Sequence, residues 1–593
     1  MEACFTKKLA YMVLCGAAGL YGLAGCNPQN YKKDADERVY NIIDKKWKDE
    51  FGPKVNYRIS DVPPSPNDIQ IEKVQAIPPS GILNLPQAVA IATAHNRDYQ
   101  TQKEALYAKA LDLRLIQRTF EKVYYGRPKG TYAKAHGTNY VGAGAGVEPR
   151  FPQNRAAQDL PHIANNDPNT GWHLEGDEMS IVDGFGFDQL LSDGTMIGMN
   201  IASSWGRILS GPLKGESIIS VLSFEVTKPL LRGSDRRVVM ESLTQAERDT
   251  LYQVRLFNRF RKTFVVSVIS QYYGVLKAYD VVKNARRNYN TLAWVCERVE
   301  KLADAGRLPK FEADAANQDK LVALDAYIEA QKEYKLLLDM FKITLGLPTT
   351  AEFRLDPNEL EALRKADIMD PDFSEAEAVA TALSKRLDLL NSSDSILDAQ
   401  RKVYVAADGL KAQLDLGVNT NIPLQDLSSS NAKVFQDLFL SGLQVDLPFD
   451  RTAEQDIYRR ALITLNQKHR EYELAADTAA LEVRQAYREL KEAAQRYQVQ
   501  SEQLRLSQKR LKDTFLLMQY SRASSRRVLD AQGDLFDAQN TATEALVAYT
   551  IATLNFYRDT EVLGVRPDGM WERQGMMNVA RRGRVENIGV SGQ

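Results

Sequence analysis

The sequence predicts an α+β chain in which pairs of amphipathic β-strands alternate with very long antiparallel helical hairpins, the whole unit written twice. Three observations carry this: a displaced internal repeat, four period-2 segments, and the stretch 452–516, which has neither proline nor glycine. The 593 residues are 44% hydrophobic, ample for a core, with 76 Lys+Arg against 77 Asp+Glu. A formal net charge of -1 excludes a generally basic nucleic-acid binder, which needs surplus cations to neutralise phosphates. Four cysteines exclude a disulfide-stapled scaffold. The five histidines, none in an HExxH or CxxC setting, argue against a zinc centre.

The chain opens as a secretory signal. Lys7 and Lys8 precede an apolar run from Leu9 to Leu23, shorter than the roughly 20 residues of a spanning helix. The run closes in Leu23-Ala24-Gly25-Cys26, which resembles a bacterial lipobox. Residues 1–25 then read as a lipoprotein signal peptide and Cys26 as the acylated N-terminus; ordinary cleavage after Gly25 is the plain alternative. Asn27, rather than Asp, leans towards the outer membrane. Beyond Cys26 no run of 18 apolar residues occurs, so crossing a bilayer requires a closed β-barrel. Residues 26–80 are polar, with Pro63-Pro64, Pro66 and Pro78-Pro79, and read as an extended lipidated linker.

A helix opens next, with Asn84 as cap and Pro86 in the first turn. The phrase returns: Ala88, Val89, Ala90, Ala92 and Asp98 match Ala378, Val379, Ala380, Ala382 and Asp388, all displaced by 290. A second echo joins 226–232 to 445–451, displaced by 219. The displacement falls by 71, so the first copy carries about that many extra residues. They lie around 137–193, rich in Gly, Asn, Pro and Asp, and read as a long excursion.

Each copy holds alternating segments. Leu410, Ala412, Leu414, Leu416 and Val418 alternate with Lys411, Gln413, Asp415, Gly417 and Asn419, giving a strand with one apolar face. Phe439, Leu443, Val445 and Leu447 form its partner. In the first copy Ile197, Met199 and Ile201 share a face, then Ile218, Leu222, Phe224 and Val226. Four such segments as two hairpins fit transmembrane β-strands, although a β-sandwich alternates in the same way. The surroundings separate the two. Along 452–516, Ile457, Ala461, Leu465, Tyr472, Ala475, Ala479, Val483 and Ala486 keep helical spacing. At 1.5 Å per residue that stretch extends roughly 97 Å. Residues 236–302 form the matching first-copy helix. Each helix breaks briefly, at 305–309 and 521–525, and returns over 310–345 and 526–563. The alanine stripe suits close side-by-side packing of helices. A globular domain has no use for helices this long; a tube does.

In this order, twice over, these phrases resemble the TolC-type outer-membrane efflux protein family across roughly 82–565. They are the paired openings at 85 and 374, the strand exit 228–233, the tip Ala305-Gly306-Arg307-Leu308, and the return from Val528-Leu529-Asp530 to Leu563-Gly564. The resemblance implies a homotrimer whose protomers each give four strands to one twelve-stranded transmembrane β-barrel, above a periplasmic α-barrel with a closable tip. It implies a non-enzymatic duct without cofactor, lipid-anchored in the outer membrane. Its partners would be a periplasmic adaptor and an inner-membrane pump, in efflux or type I secretion. By position Gly306, Arg307, Leu308, Ser521 and Arg522 form the docking tip. Glu312 and Tyr520 resemble an inter-hairpin hydrogen-bonded pair at the gate, and Asp530 a pore-facing carboxylate. Two departures stand out. The second tip lacks a glycine and reads about two residues short, and Arg527 stands where a second acidic residue would fall.

The domain order is then short helices over 81–126, a first β-hairpin with its long loop over 127–235, and a helical hairpin over 236–347 with its tip at 303–312. A linker with short helices (348–409), a second hairpin of strands (410–451), a second helical hairpin (452–564, tip 518–530) and a polar tail (565–593) follow. Other motifs are weak. Gly142-Ala143-Gly144-Ala145-Gly146 lacks the third glycine and helix of a dinucleotide loop. His162 and His173 share the long loop without metal-ligand spacing, and Arg581-Arg582-Gly583-Arg584 reads as a solvated end. The competing reading is a lipid-anchored periplasmic coiled-coil adaptor or structural protein, which the two strand pairs ahead of long helices disfavour.

Overall fold

A computed structural model of the chain describes residues 28–48, 54, 57–59, 77–126, 129–135, 176–208, 215–365, 374–423, 439–447, 449–520 and 522–566. The expected signal peptide 1–25, Cys26, the loop 137–175, Ser521 and the tail from 567 lie outside the described residues. The helices are α1 (Pro28–Lys46), α2 (Leu85–His95), α3 (Arg97–Thr119), α4 (Arg236–Val239), α5 (Glu241–Asp304), α6 (Lys310–Thr344), α7 (Asn358–Lys365), α8 (Glu375–Lys385), α9 (Leu387–Gly409), α10 (Thr452–Gln519) and α11 (Ser525–Asp559). The strands are β1 (Ile82–Leu83), β2 (Val123–Gly126), β3 (Lys129–Ala135), β4 (Gly176–Leu190), β5 (Met196–Ile208), β6 (Gly215–Pro229), β7 (Arg354–Leu355), β8 (Gln413–Pro423) and β9 (Phe439–Asp446). None of the described helices is long and apolar enough to cross a membrane.

Element lengths follow the sequence duplication. Helices α2 and α8 each have 11 residues, α3 and α9 have 23, and α6 and α11 have 35. The repeated phrase also folds alike at its first residue. Asn84 accepts from the Gln87 amide while the Gln87 side chain accepts from the Asn84 amide, and Ser374 and Glu377 repeat this capping box.

The chain divides into two compact units, one of residues 1–114, 245–400 and 462–593, the other of 115–244 and 401–461. The first is helical. Its main core gathers on α5, where Val254, Phe257, Val265, Ile269, Tyr272 and Leu276 recur at helical spacing and are buried beside Tyr99 and Phe341. Burying each such side chain stabilises by about 1.5–3 kcal/mol. A smaller core joins Ala378 and Ala382 of α8 to Val483, Ala486 and Leu490 of α10 and Phe556 of α11.

The linker reading of 26–80 needs correcting over 28–46, which is α1. Val39, Ile43 and Trp47 recur every fourth residue and are buried in the main core, with Trp47 edge-on to Phe257. Tyr107 donates to Asp36 at 2.6 Å and Lys46 pairs with Glu247 at 2.9 Å. A narrow three-residue stripe among lysines and acids is enough to seat a helix, yet its mean composition reads as polar.

The second unit is built on an antiparallel sheet in the order β2-β4-β5-β6-β8-β9, with β3 also on β4. Because β2 and β3 hold the same register along β4, they lie on one edge, and the sheet has six strand paths. This corrects the expectation of four. The excursion reading of 137–193 fails over 176–190, which is β4. There Phe185 and Phe187 alternate with Gly184, Gly186 and Asp188, and the glycines and acid give the segment the composition of a loop. The strand exit is tightly held: Leu230 N donates to Leu414 O at 2.7 Å and Gly233 N to Asp408 at 2.8 Å. Asp235 caps α4 through the Arg237 amide at 2.8 Å and accepts from the Tyr404 hydroxyl. The Arg237 guanidinium, 3.0 Å away, and then these two bonds hold its carboxyl well below the usual carboxylate range.

Candidate membrane sheet and helical tips

Register decides which residues share a face of the sheet. Across β4, β5, β6, β8 and β9 one row runs Phe187, Met199, Phe224, Thr420 and Phe439, and the row two residues on runs Gln189, Ile197, Val226, Val418 and Ser441. Phe185, Ile201, Leu222, Leu416 and Leu443 lie on this same face. Phe185 is 62% exposed and Leu443 60% exposed, far more than a covered sheet allows. The opposite face carries Asp188, Asn200, Ser223, Glu225, Asn419, Asp415 and Asp446. A large apolar surface beside a polar one, alternating along strands of 8 to 15 residues, is the pattern of a wall between hydrocarbon and water.

The tips belong to the helical unit. At the first, Gly306 takes φ +72°, Gly306 N donates to Ala303 O at 3.0 Å and Arg307 N to Leu302 O at 2.9 Å. This is the left-handed helix stop that glycine makes without steric cost. Pro309 then leads into α6. At the second, Arg522 N donates to Leu517 O at 2.8 Å, the same closure, and Ser524 leads into α11. The connections span 305–309 and 520–524, equal in length. Below the turns the hairpins share a core of Val295, Cys296, Val299, Ala316, Met518 and Val528, with Leu308 and Ala523 packed against it. Trp294 stacks on Phe515 at 5.7 Å. Glu300 accepts from Asn317 at 2.7 Å and from the Cys296 thiol at 3.4 Å. Burial, then that carboxylate, pushes the thiol's pKa up. Cys296 is the one free cysteine among the described residues, and it is inert packing here.

No protein-family model and no curated protein matches the sequence. Solved structures do match in shape. CusC, studied for its folding and transmembrane channel formation, aligns with a TM-score of 0.53 and 14% identity, over 80% of this chain and 91% of its own. The Campylobacter jejuni CmeC outer membrane channel aligns at 0.52 and 14%, over 90% of this chain and 98% of its own. The open Neisseria gonorrhoeae MtrE outer membrane channel aligns at 0.53 and 14%, over 82% and 90%. The chain has the TolC-type channel fold.

Within this TolC-type fold the residues singled out from sequence fall unevenly. Gly306 and Arg307 are exposed at the first turn, Leu308 is half-buried, and Arg522 is exposed at the second. Glu312 is half-buried and Tyr520 is 71% exposed; among the described residues these two share no hydrogen bond within one chain. Asp530 is exposed and is paired with Arg526, and Arg527 is exposed beside them. The sequence reading missed Arg526 and its second acceptor, Asp319. The signal was present: Arg526 precedes Asp530 by four residues, a spacing that sets two side chains on one face of a helix. Asp319 carried no signal, since only packing brings α6 beside α11.

Proposed function

We propose that this chain is an outer-membrane exit duct, a passive conduit of a tripartite efflux or type I secretion system, working as a homotrimer. The observation that carries the reading is the sheet, apolar on one face, polar on the other and open at both edges. Among the described residues the outer sides of β2, β3 and β9 pair with nothing. Open strand edges cannot lie in hydrocarbon, so neighbouring copies must close them. The fold shared with the CmeC and MtrE outer membrane channels supports the same reading.

Helix α6 leaves Leu321, Val322, Ile328, Leu336, Met340 and Ile343 exposed in the single chain, surface that side-by-side copies would cover. The alanine stripe of α10 does not serve this purpose, because Ala479 and Ala486 are already buried within one chain. Cys26 anchors the N-terminus to outer-membrane lipid. A periplasmic adaptor docks on Gly306, Arg307, Leu308, Ser521 and Arg522, and an inner-membrane pump supplies the energy. The deciding experiment is conductance in planar bilayers together with the mass of the detergent-extracted oligomer. A trimer with discrete conductance steps is expected; a stable inserted monomer that conducts nothing would sink the reading.

A further inference from the structure

We propose that each copy gives six strands to the membrane wall, so that three copies close an eighteen-stranded barrel of porin width. The proposal rests on the duct reading and adds the size of the passage to it. The added element is the hairpin β4–β5, and its geometry is that of wall rather than of a protruding loop. Strand β5 is an interior strand, paired residue by residue with β4 over 178–190 and with β6 over 215–227. Its turn is tight, with Leu191 N donating to Thr195 O at 2.8 Å and Gly194 N to Leu191 O at 3.1 Å. Short turns at one end of the strands and longer connections at the other are the habit of membrane barrels.

The chemistry of its two faces agrees. Phe187 and Met199 continue the row of Phe224, and Phe185 and Ile201 continue that of Leu222, so in these two rows the apolar face runs from β6 into the hairpin. A hairpin standing in water beyond the bilayer would leave that face wet on a strand whose neighbours are in lipid. Width follows from strand number. With strands about 4.8 Å apart and tilted about 40°, eighteen strands give a backbone diameter of about 36 Å and twelve about 24 Å. The wider barrel leaves the broader aqueous lumen.

Single cysteines in a Cys296→Ser background test this in lipid vesicles, probed with a membrane-impermeant maleimide and with a bilayer-soluble one. Phe224→Cys and Glu225→Cys on β6 are the controls, lipid-facing and lumen-facing. If β5 is wall, Ile201→Cys follows Phe224→Cys, losing reaction with the impermeant reagent, and Asn200→Cys follows Glu225→Cys, keeping it. If both β5 positions react with the impermeant reagent while the β6 pair still alternates, the hairpin is outside the wall and the inference is overturned. Failure of the β6 pair to alternate would overturn the duct reading, and the inference with it. Native mass of the extracted oligomer must give three copies; two copies would limit the wall to twelve strands and also overturn the number.

Discussion

The Arg526 guanidinium lies 3.2 Å from Asp319 on the other helical hairpin, and 3.2 Å from Asp530 one turn along its own helix. One exposed cation therefore ties the two hairpins together beside the tip. Its contribution to stability is small, about 0–1 kcal/mol, because Arg526 is largely solvated. In the proposed duct, an opening that separated the hairpins would give it a larger part in gating. We expect Arg526→Ala to raise single-channel open probability while leaving the melting temperature nearly unchanged. Unaltered gating would remove Arg526 from the latch.

The gate residues read from the sequence make a second prediction. Asp530→Ala removes a carboxylate close to the turn, and three such losses around a pore axis would lower cation preference. Glu312→Ala with Tyr520→Phe is expected to raise open probability, because their pairing would have to form between neighbouring copies. Recordings in which conductance, selectivity and open probability all match the wild type would show these to be ordinary helix-end polar groups.

Two glycines with nearly the same φ should respond differently to alanine. At Gly306 (φ +72°) an added Cβ would meet nothing within 4 Å, so Gly306→Ala carries only left-handed strain, about 1–2 kcal/mol. Gly346 (φ +73°) closes α6, and a Cβ there would lie 2.2 Å from the His95 carbonyl oxygen. Neither backbone can yield cheaply, so Gly346→Ala should cost more than about 3 kcal/mol. Thermal unfolding of the two variants checks the order; equal losses would contradict it.

Lys103 gives a pH prediction. It is 4% exposed, with its ammonium 5.2 Å from the centre of the Tyr99 ring, and burial lowers its pKa from 10.5 to about 8. Below pH 8 the lysine is protonated in both states, and the cost of burying a charge is fully present. Between about 8 and 10.5 the folded state has released the proton while the unfolded chain still binds it, so stability rises with pH. Lys103→Met should therefore melt higher than wild type at pH 7, with the gap closing towards pH 10.5. A gap that does not change with pH would contradict this.

Cys26→Ala tests the anchor. We expect loss of the acyl mass on the mature N-terminus and weaker membrane retention, with the strands still able to insert, since a lipid chain closes no strand ladder. An unmodified N-terminus in the wild-type protein, measured by intact mass, would remove the lipoprotein reading.

The long helices and their duplication were legible in the sequence because both are local: absence of Pro and Gly, helical spacing, and one phrase displaced by 290. The β8–β9 pair was legible for the same reason, as Leu414, Leu416 and Val418 alternate with polar residues in an unbroken run. Strand β4 and helix α1 were not. Phe185 and Phe187 signal a strand only once hydrogen-bonded register sets them beside Ile201 and Met199, and Val39, Ile43 and Trp47 signal a helix only once a core receives them. The partner of Asp530 divides along the same line. Its helical neighbour Arg526 was written four residues away, but Asp319 lies 207 residues from Arg526 in the chain, and only the packing of α6 against α11 makes them neighbours. Periodicity is a property of consecutive residues, and so the sequence determined which segments are helices and which faces are apolar. Register and inter-helix contact join residues that no local pattern relates, and so tertiary structure alone decided the number of strands in the sheet and the charge pair that ties the tip.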